Sequence, residues 1–282
     1  MILEYVHKFI TSKRAGGTTE SSLDNYNRCL VRFAMQHPAW PPTPEDIEQY
    51  LTLRRSQVKP VTVNGDYRAL AVFLNWCCQR GFLADNPLQH VEKPRRIKTP
   101  PKPAPRNDIQ KLFSTIEAQT PHDKWAVRDL SMFRLAYATG ARASELASMR
   151  REDVNLSING VYIEGKKSGP RRWLFFGRKT ADALAIWLSI HPGDPALFTT
   201  RYETPITRRR IYYALQKWCR LANIRMTVHQ LRHSYATHAL RNGIDIALVQ
   251  KQMGHANIST TAMYLGAEDE DRRIAHVRFA PE

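Results

Sequence analysis

His229 and Arg232 lie three residues apart in the run Val228-His229-Gln230-Leu231-Arg232-His233-Ser234-Tyr235. On a helix that spacing puts both on one face, an imidazole able to take or give a proton beside a planar cation. The pair suits a phosphate, and a capped helix start with a solvated arginine would look the same. A second cluster is Thr139-Gly140-Ala141-Arg142-Ala143-Ser144-Glu145. Here a glycine ends one helix and an arginine opens the next, so a forked guanidinium and backbone N–H groups can meet the same anion. Glu145 either holds that guanidinium or supports the first helical turn. In a third stretch, Gly254-His255-Ala256-Asn257-Ile258-Ser259-Thr260-Thr261-Ala262-Met263-Tyr264, the glycine stops a helix and Ser259 or Thr260 can cap another. Tyr264 then falls about one turn into it, which by itself describes a packed aromatic with a wet hydroxyl.

Those segments need elements to hold them. Val161-Tyr162-Ile163-Glu164 and Arg171-Arg172-Trp173-Leu174-Phe175-Phe176 flank the polar stretch Gly165-Lys166-Lys167-Ser168-Gly169-Pro170. Two β-rich runs about a glycine-bearing turn predict a hairpin. Apolar periodicity predicts helices from Asp108 through Ile109, Leu112, Phe113 and Ile116, over residues 125–139 up to Gly140, and from Ser144. Further helices are predicted over residues 180–190, 208–222, 229–241 and 245–253.

The first part of the chain is helical throughout. Thr18 or Thr19 can cap a helix with Leu23, Tyr26, Leu30 and Phe33 in one stripe. Thr43-Pro44-Glu45-Asp46 offers a cap, a proline at the first helical position and two acids in the first turn. Thr62 opens a third helix with Val63, Tyr67, Leu70, Leu74 and Cys77 on one face, ending near Gly81. Residues 93–106 hold five prolines and six basic residues, an extended and wet strap that serves as a spacer or lies along a phosphate backbone. The domain reading is therefore 1–92, a helical domain; 93–106, a linker; and 107–282, a second domain.

A chain of 282 residues, 43% apolar and 24% charged, is ordinary for a globular protein of one large or two ordinary domains. Its charge is not: 42 Lys+Arg stand against 26 Asp+Glu, a net +16. Both parts share it, with 14 basic against 9 acidic residues over 1–99 and 28 against 17 thereafter. Such a field attracts a polyanion and releases its counterions, which favours nucleic acid over an acidic membrane. The mean hydropathy is −0.47 and no apolar run approaches membrane-spanning length. The first residues lack the pattern of a secretory signal, so a cytoplasmic, nucleoid-associated location is expected. Cys29, Cys77, Cys78 and Cys219 have no metal-ligand spacing and read as buried thiols.

Taken together and in order, the helical domain, the linker, TGARASEL, the lysine hairpin, HQLRHSYAT and GHANISTTAMY make the chain resemble the tyrosine recombinase (phage integrase) family, in particular its simple Xer-like two-domain members. The resemblance implies a mainly α fold: an N-terminal helical, SAM-like, core-binding DNA domain. It is followed by an α+β catalytic domain with a small β-hairpin or sheet, the two forming a C around the duplex. It implies that Arg142 and Arg232 clamp the scissile phosphate, whose developing charge two fixed guanidiniums can stabilise without a metal. Lys166, directly after the glycine, resembles the hairpin lysine that protonates the departing 5′-oxygen. Lys167 is its competitor, and the family's Gly-Lys-Gly is altered here. His229 and His255 match the two histidine positions, one taking the tyrosine's proton and the other hydrogen-bonding the phosphate. Tyr264 matches the nucleophile.

The resemblance thus implies a site-specific recombinase that works through a covalent 3′-phosphotyrosyl intermediate and a Holliday junction, as a homo-tetramer on double-stranded DNA sites. It needs no cofactor, neither ATP nor metal, and serves integration, excision or resolution of DNA elements. Competing readings are a non-cutting DNA-binding protein of the same fold and a type IB topoisomerase. All six catalytic positions carry the family's residue types, which speaks against the first. A separate N-terminal helical domain and compact size speak against the second.

Overall fold

The computed structural model describes residues 1–95, 102–164 and 171–254. The chain divides into two compact units, Met1–Thr99 and Pro100–Glu282.

The first unit packs four helices, α1 (Ile2–Ala15), α2 (Glu20–Gln36), α3 (Pro44–Gln57) and α4 (Pro60–Gln79), with a 3-10 turn at Pro87–His90. Thr19 is the extended cap of α2, and Leu23, Leu30 and Phe33 are buried along its expected stripe. At α3 the Thr43 hydroxyl accepts from the Asp46 amide at 3.2 Å and the Asp46 carboxylate accepts from the Thr43 amide at 2.9 Å. That reciprocal box, with Pro44 at the first position, fixes where the helix begins. Helix α4 starts at Pro60, two residues ahead of the predicted Thr62, because proline supplies the helical φ there. Helix α1 agrees with a first part that is helical throughout but is not among the three helices delimited from the sequence; its Ile2, Val6 and Phe9 step by four and three and are all buried. Phe9 stands edge-on to Tyr26, Phe73 and Trp76 with ring centroids 5.5–5.6 Å apart, so α1 supplies the aromatic centre of this core.

The second unit contains α5 (Arg106–Glu117), α6 (Lys124–Thr139), α7 (Ala143–Leu146), β1 (Val154–Asn155), β2 (Gly160–Ile163) and β3 (Arg172–Phe175). It continues with α8 (Arg178–Ser189), α9 (Arg208–Leu221), α10 (Val228–Arg241) and α11 (Ile246–Met253). The hairpin is present: β2 and β3 pair antiparallel with Val161 opposite Leu174 and Ile163 opposite Arg172. The two-residue strand β1 adds a third, antiparallel, member beside β2 and is too short to carry a periodic signal. Helix α6 is the axis of the unit, with Ala126, Met132, Phe133 and Leu135 fully buried. Its Asp129, buried and held by Arg128 and by the Trp218 indole at 2.7 Å, ties α6 to α9. Among the described residues the fold is mainly α with one small antiparallel sheet, as the resemblance implies.

The four cysteines are free; Cys29, Cys77 and Cys219 are buried and Cys78 is half-buried. Among the described residues no helix is long and apolar enough to cross a membrane.

Candidate active site

Helix α6 ends at Gly140, which sits in the left-handed region at φ 65° and returns its N–H to the Ala136 carbonyl at 3.0 Å. The chain turns there and presents Arg142 as the extended residue ahead of α7. A Cβ at Gly140 would stand 2.6 Å from Cδ1 of Tyr235, so α10 approaches this turn more closely than an alanine allows. The Arg142 amide donates to Glu145 Oε2 at 2.8 Å and its Nη1 to Oε1 at 2.9 Å. Both readings of Glu145 are therefore realised: one carboxylate caps the helix and orients the arginine.

Helix α10 begins with a reciprocal box between Thr227 and Gln230, which places His229 in its first turn and Arg232 one turn on. Arg232 is 3% exposed and donates through Nη1 to the Gly140 carbonyl and through Nη2 to the Met253 carbonyl at 3.0 Å. The His229 ring lies 4.1 Å from that of His233 in an edge contact. Desolvation by the surrounding protein, then the charges of Arg232 and Arg142, hold His229 below the ordinary histidine range. Its neutral form, a proton acceptor, is thus the one favoured at neutral pH. His238, further along α10, shares a hydrogen bond of 2.8 Å between its Nδ1 and the Tyr137 hydroxyl, accepting it in the tautomer that carries the proton on Nε2, and is buried in the packing of α10 on α6.

Sequence reasoning missed Arg172. It opens β3 on the inward side, and its Nη2 donates to Glu145 Oε1 and to the Met253 carbonyl, each at 3.1 Å. Its Nε donates to the Gln252 carbonyl at 2.8 Å. Hydrogen bonds run through the site from Arg142 to Glu145, Glu145 to Arg172, Arg172 to Met253, Met253 to Arg232 and Arg232 to Gly140, and the backbone from Gly140 to Arg142 closes them into a ring. Burial works to raise the Glu145 carboxyl. The Arg142 amide and the Arg172 and Arg142 guanidiniums outweigh it, and Glu145 stays below the ordinary carboxylate range. The available signal was a charged residue placed in strand alternation with Leu174, on the face that turns to the core.

Of the six residues singled out in the sequence, Arg142, His229 and Arg232 come together here. Lys166, its competitor Lys167, His255 and Tyr264 lie outside the described residues. Among the described residues no group of three His, Cys, Asp or Glu side chains is placed to hold a metal ion.

The model of the phage integrase family matches residues 104–271. The chain belongs to this family of tyrosine recombinases. A tyrosine recombinase XerC from Histophilus somni is 35% identical over 202 residues, 70% of this chain and 67% of that protein. A tyrosine recombinase XerD from Ralstonia nicotianae is 27% identical over 283 residues, 94% of this chain and 90% of that one. The fold is also that of a lambda integrase tetramer bound to a Holliday junction. The TM-score is 0.79 at 15% identity, over 94% of this chain and 78% of that one. The family member described here is a tyrosine-type site-specific recombinase.

Proposed function

We propose that this recombinase cuts duplex DNA at specific sites through Tyr264, exchanges strands by way of a Holliday junction, and reseals them. The observation that carries this reading is the meeting of Arg142, His229 and Arg232 around one carboxylate-anchored corner of the catalytic unit. In the proposed step the Tyr264 oxygen attacks the phosphorus and the bond to the 5′-oxygen breaks. His229, held neutral, takes the phenolic proton, and Lys166 gives a proton to the departing oxygen. Arg142 and Arg232, with a hydrogen bond from His255, bear the charge that develops on the non-bridging oxygens. The products are a 3′-phosphotyrosyl bond and a free 5′-hydroxyl. That bond keeps the energy of the phosphodiester, so rejoining requires no ATP.

The partners in this reading are double-stranded recombination sites and three further copies of the chain, in line with the tetramer formed by the similar lambda integrase. Residues 1–92 act as a DNA-binding domain, 93–106 as the linker and 107–282 as the catalytic domain. The enzyme works where the DNA is, at the nucleoid.

The deciding experiment incubates the protein with sheared DNA from around its own gene in EDTA, traps with SDS, and sequences whatever stays attached, with Tyr264→Phe in parallel. Tyrosine-dependent adducts at a few discrete inverted-repeat sites are expected. Adducts scattered everywhere would turn the reading toward a type IB topoisomerase, and sequence-specific binding without adducts toward a non-cutting protein.

A further inference from the structure

We propose that Arg172 is a positioning residue for the cutting step: its guanidinium pins the end of α11 to strand β3 and so sets where the chain leading to His255 and Tyr264 begins. The inference rests on the reading of Tyr264 as nucleophile.

The last carbonyls of a helix have no partners within it and must find them elsewhere. At α11 these include the carbonyls of Gln252 and Met253, and Arg172 takes both, through Nε at 2.8 Å and Nη2 at 3.1 Å. The same strand holds the same helix end a second way. The Gln252 side chain donates to the Phe175 carbonyl at 2.6 Å and accepts from the Phe175 amide at 3.3 Å, as a neighbouring strand would. A cation beside the negative end of a helix is favourable in any case, and here its side chain is only 7% exposed, so the attraction is little screened.

The next residue shows how tightly the joint is made. Gly254 adopts φ 63°, and a Cβ placed on it would lie 2.6 Å from Cζ and 2.7 Å from Nη1 of Arg172. Glycine suits this position twice over: it takes the left-handed backbone without strain, and it leaves room for the guanidinium where its hydrogen bonds hold it. Among the described residues Nη1 has no hydrogen-bond partner, so a buried donor lies beside this exit.

Arg172 also shares Glu145 with Arg142, and Met253 with Arg232. The arginines assigned to the phosphate and the start of the segment assigned to the nucleophile are thereby fixed to one frame. Lysine offers a single point of donation in place of a planar fork and cannot hold two carbonyls and a carboxylate together.

The test is Arg172→Lys, which keeps the charge. In the unliganded full chain, hydrogen exchange of peptides spanning residues 246–264 should quicken about tenfold, with the rest of the protein within twofold. On a nicked duplex carrying a site recovered by trapping, single-turnover cleavage should fall at least tenfold while the DNA dissociation constant stays within twofold. The loss should be equal on a substrate with a 5′-sulfur leaving group, because the defect lies in attack and not in protonation of the leaving oxygen. Cleavage within twofold of the parent, an equal loss of DNA affinity, or rescue by the 5′-sulfur would each overturn the proposal. If the parent forms no Tyr264-dependent adduct, the functional reading fails. The exchange measurement then still decides the anchoring role, which unchanged exchange would overturn.

Discussion

Arg232 donates to the main-chain carbonyl of Met253 at 3.0 Å, a bond that joins the second turn of α10 to the last residue of α11. The guanidinium assigned to the phosphate is therefore not a side chain waiting in solvent. It is buried, oriented by two carbonyls from two different helix ends, and its position is settled before any substrate arrives. Groups aimed in advance at a developing charge need no reorganisation at the moment of reaction, which is where such sites gain most.

From this follows the behaviour of Arg232→Lys. The charge remains but the fork that spans Gly140 and Met253 is lost. Adduct formation should drop by about 100-fold or more, while stability in urea falls by only about 1–2 kcal/mol. Near-normal adduct yield in the trapping assay would show that charge alone suffices at this position.

Glu145→Gln tests the other side of the ring. The carboxylate serves Arg142 through two bonds and Arg172 through a third, and an amide oxygen can accept but brings no charge. Loss of about 2 kcal/mol of stability at pH 7 is expected. The parent's Glu145 lies below the ordinary carboxylate range, so its stabilisation is full above that range and is lost as pH falls from there through its own, lower value in the fold. Parent and variant should therefore converge under acid, and melting curves at pH 7 and pH 3 measure this. A constant gap between them would count against the charge.

Gly140→Ala should be costly for two separable reasons. The left-handed backbone disfavours a Cβ by about 1 kcal/mol. The added carbon also meets Cδ1 of Tyr235 at 2.6 Å. Displacing α10 would shift Arg232 away from the Gly140 carbonyl, so stability and cleavage should fall together. Tyr235→Ala in the same background should restore part of the stability by removing the steric contact. No restoration would place the whole cost in the backbone.

Much of this was legible in the sequence because the signals were local. Gly140 and Gly254 stop helices where expected, and Thr43 with Asp46 writes a capping box directly into the chain. The β2–β3 pairing followed from two short runs about one turn. Arg172 was not legible as a member of the site, because its partners Glu145, Gln252 and Met253 are 27 to 81 residues away in sequence. Alternation pairs Arg172 with Leu174 but equally pairs Arg171 with Trp173, so it marks a candidate on each face; the register, with Arg172 opposite Ile163, decides which guanidinium turns inward. Helix α1 was not delimited for a different reason. Its stripe of Ile2, Val6 and Phe9 is short and carries no side-chain cap to mark where it begins.

His229 should titrate below the ordinary histidine range in the DNA-free protein. Desolvation is the larger cause and the charges of Arg232 and Arg142 add to it. Arg142→Gln removes one of those charges, so the midpoint followed by NMR should rise while remaining below 6.5. A midpoint unmoved by the substitution would separate His229 from Arg142 electrostatically and weaken their assignment to one site.

His238 gives the fold a pH dependence of its own. Burial, then the charges of Arg106 and Arg241, push it down to about 4, and its Nδ1 accepts from Tyr137 in the neutral tautomer protonated at Nε2. The unfolded chain takes up this proton near 6.5 and the folded one resists it. Stability from this group is thus intact above that value and lost as pH falls toward 4, by about 2 kcal/mol between pH 7 and pH 5. His238→Gln keeps an acceptor for the Tyr137 hydroxyl and cannot titrate. Urea denaturation across that range should show the variant's stability changing less with pH than the parent's by that amount. Parallel curves would mean that His238 is protonated in the fold without penalty, and that the Tyr137 bond does not depend on its neutral form.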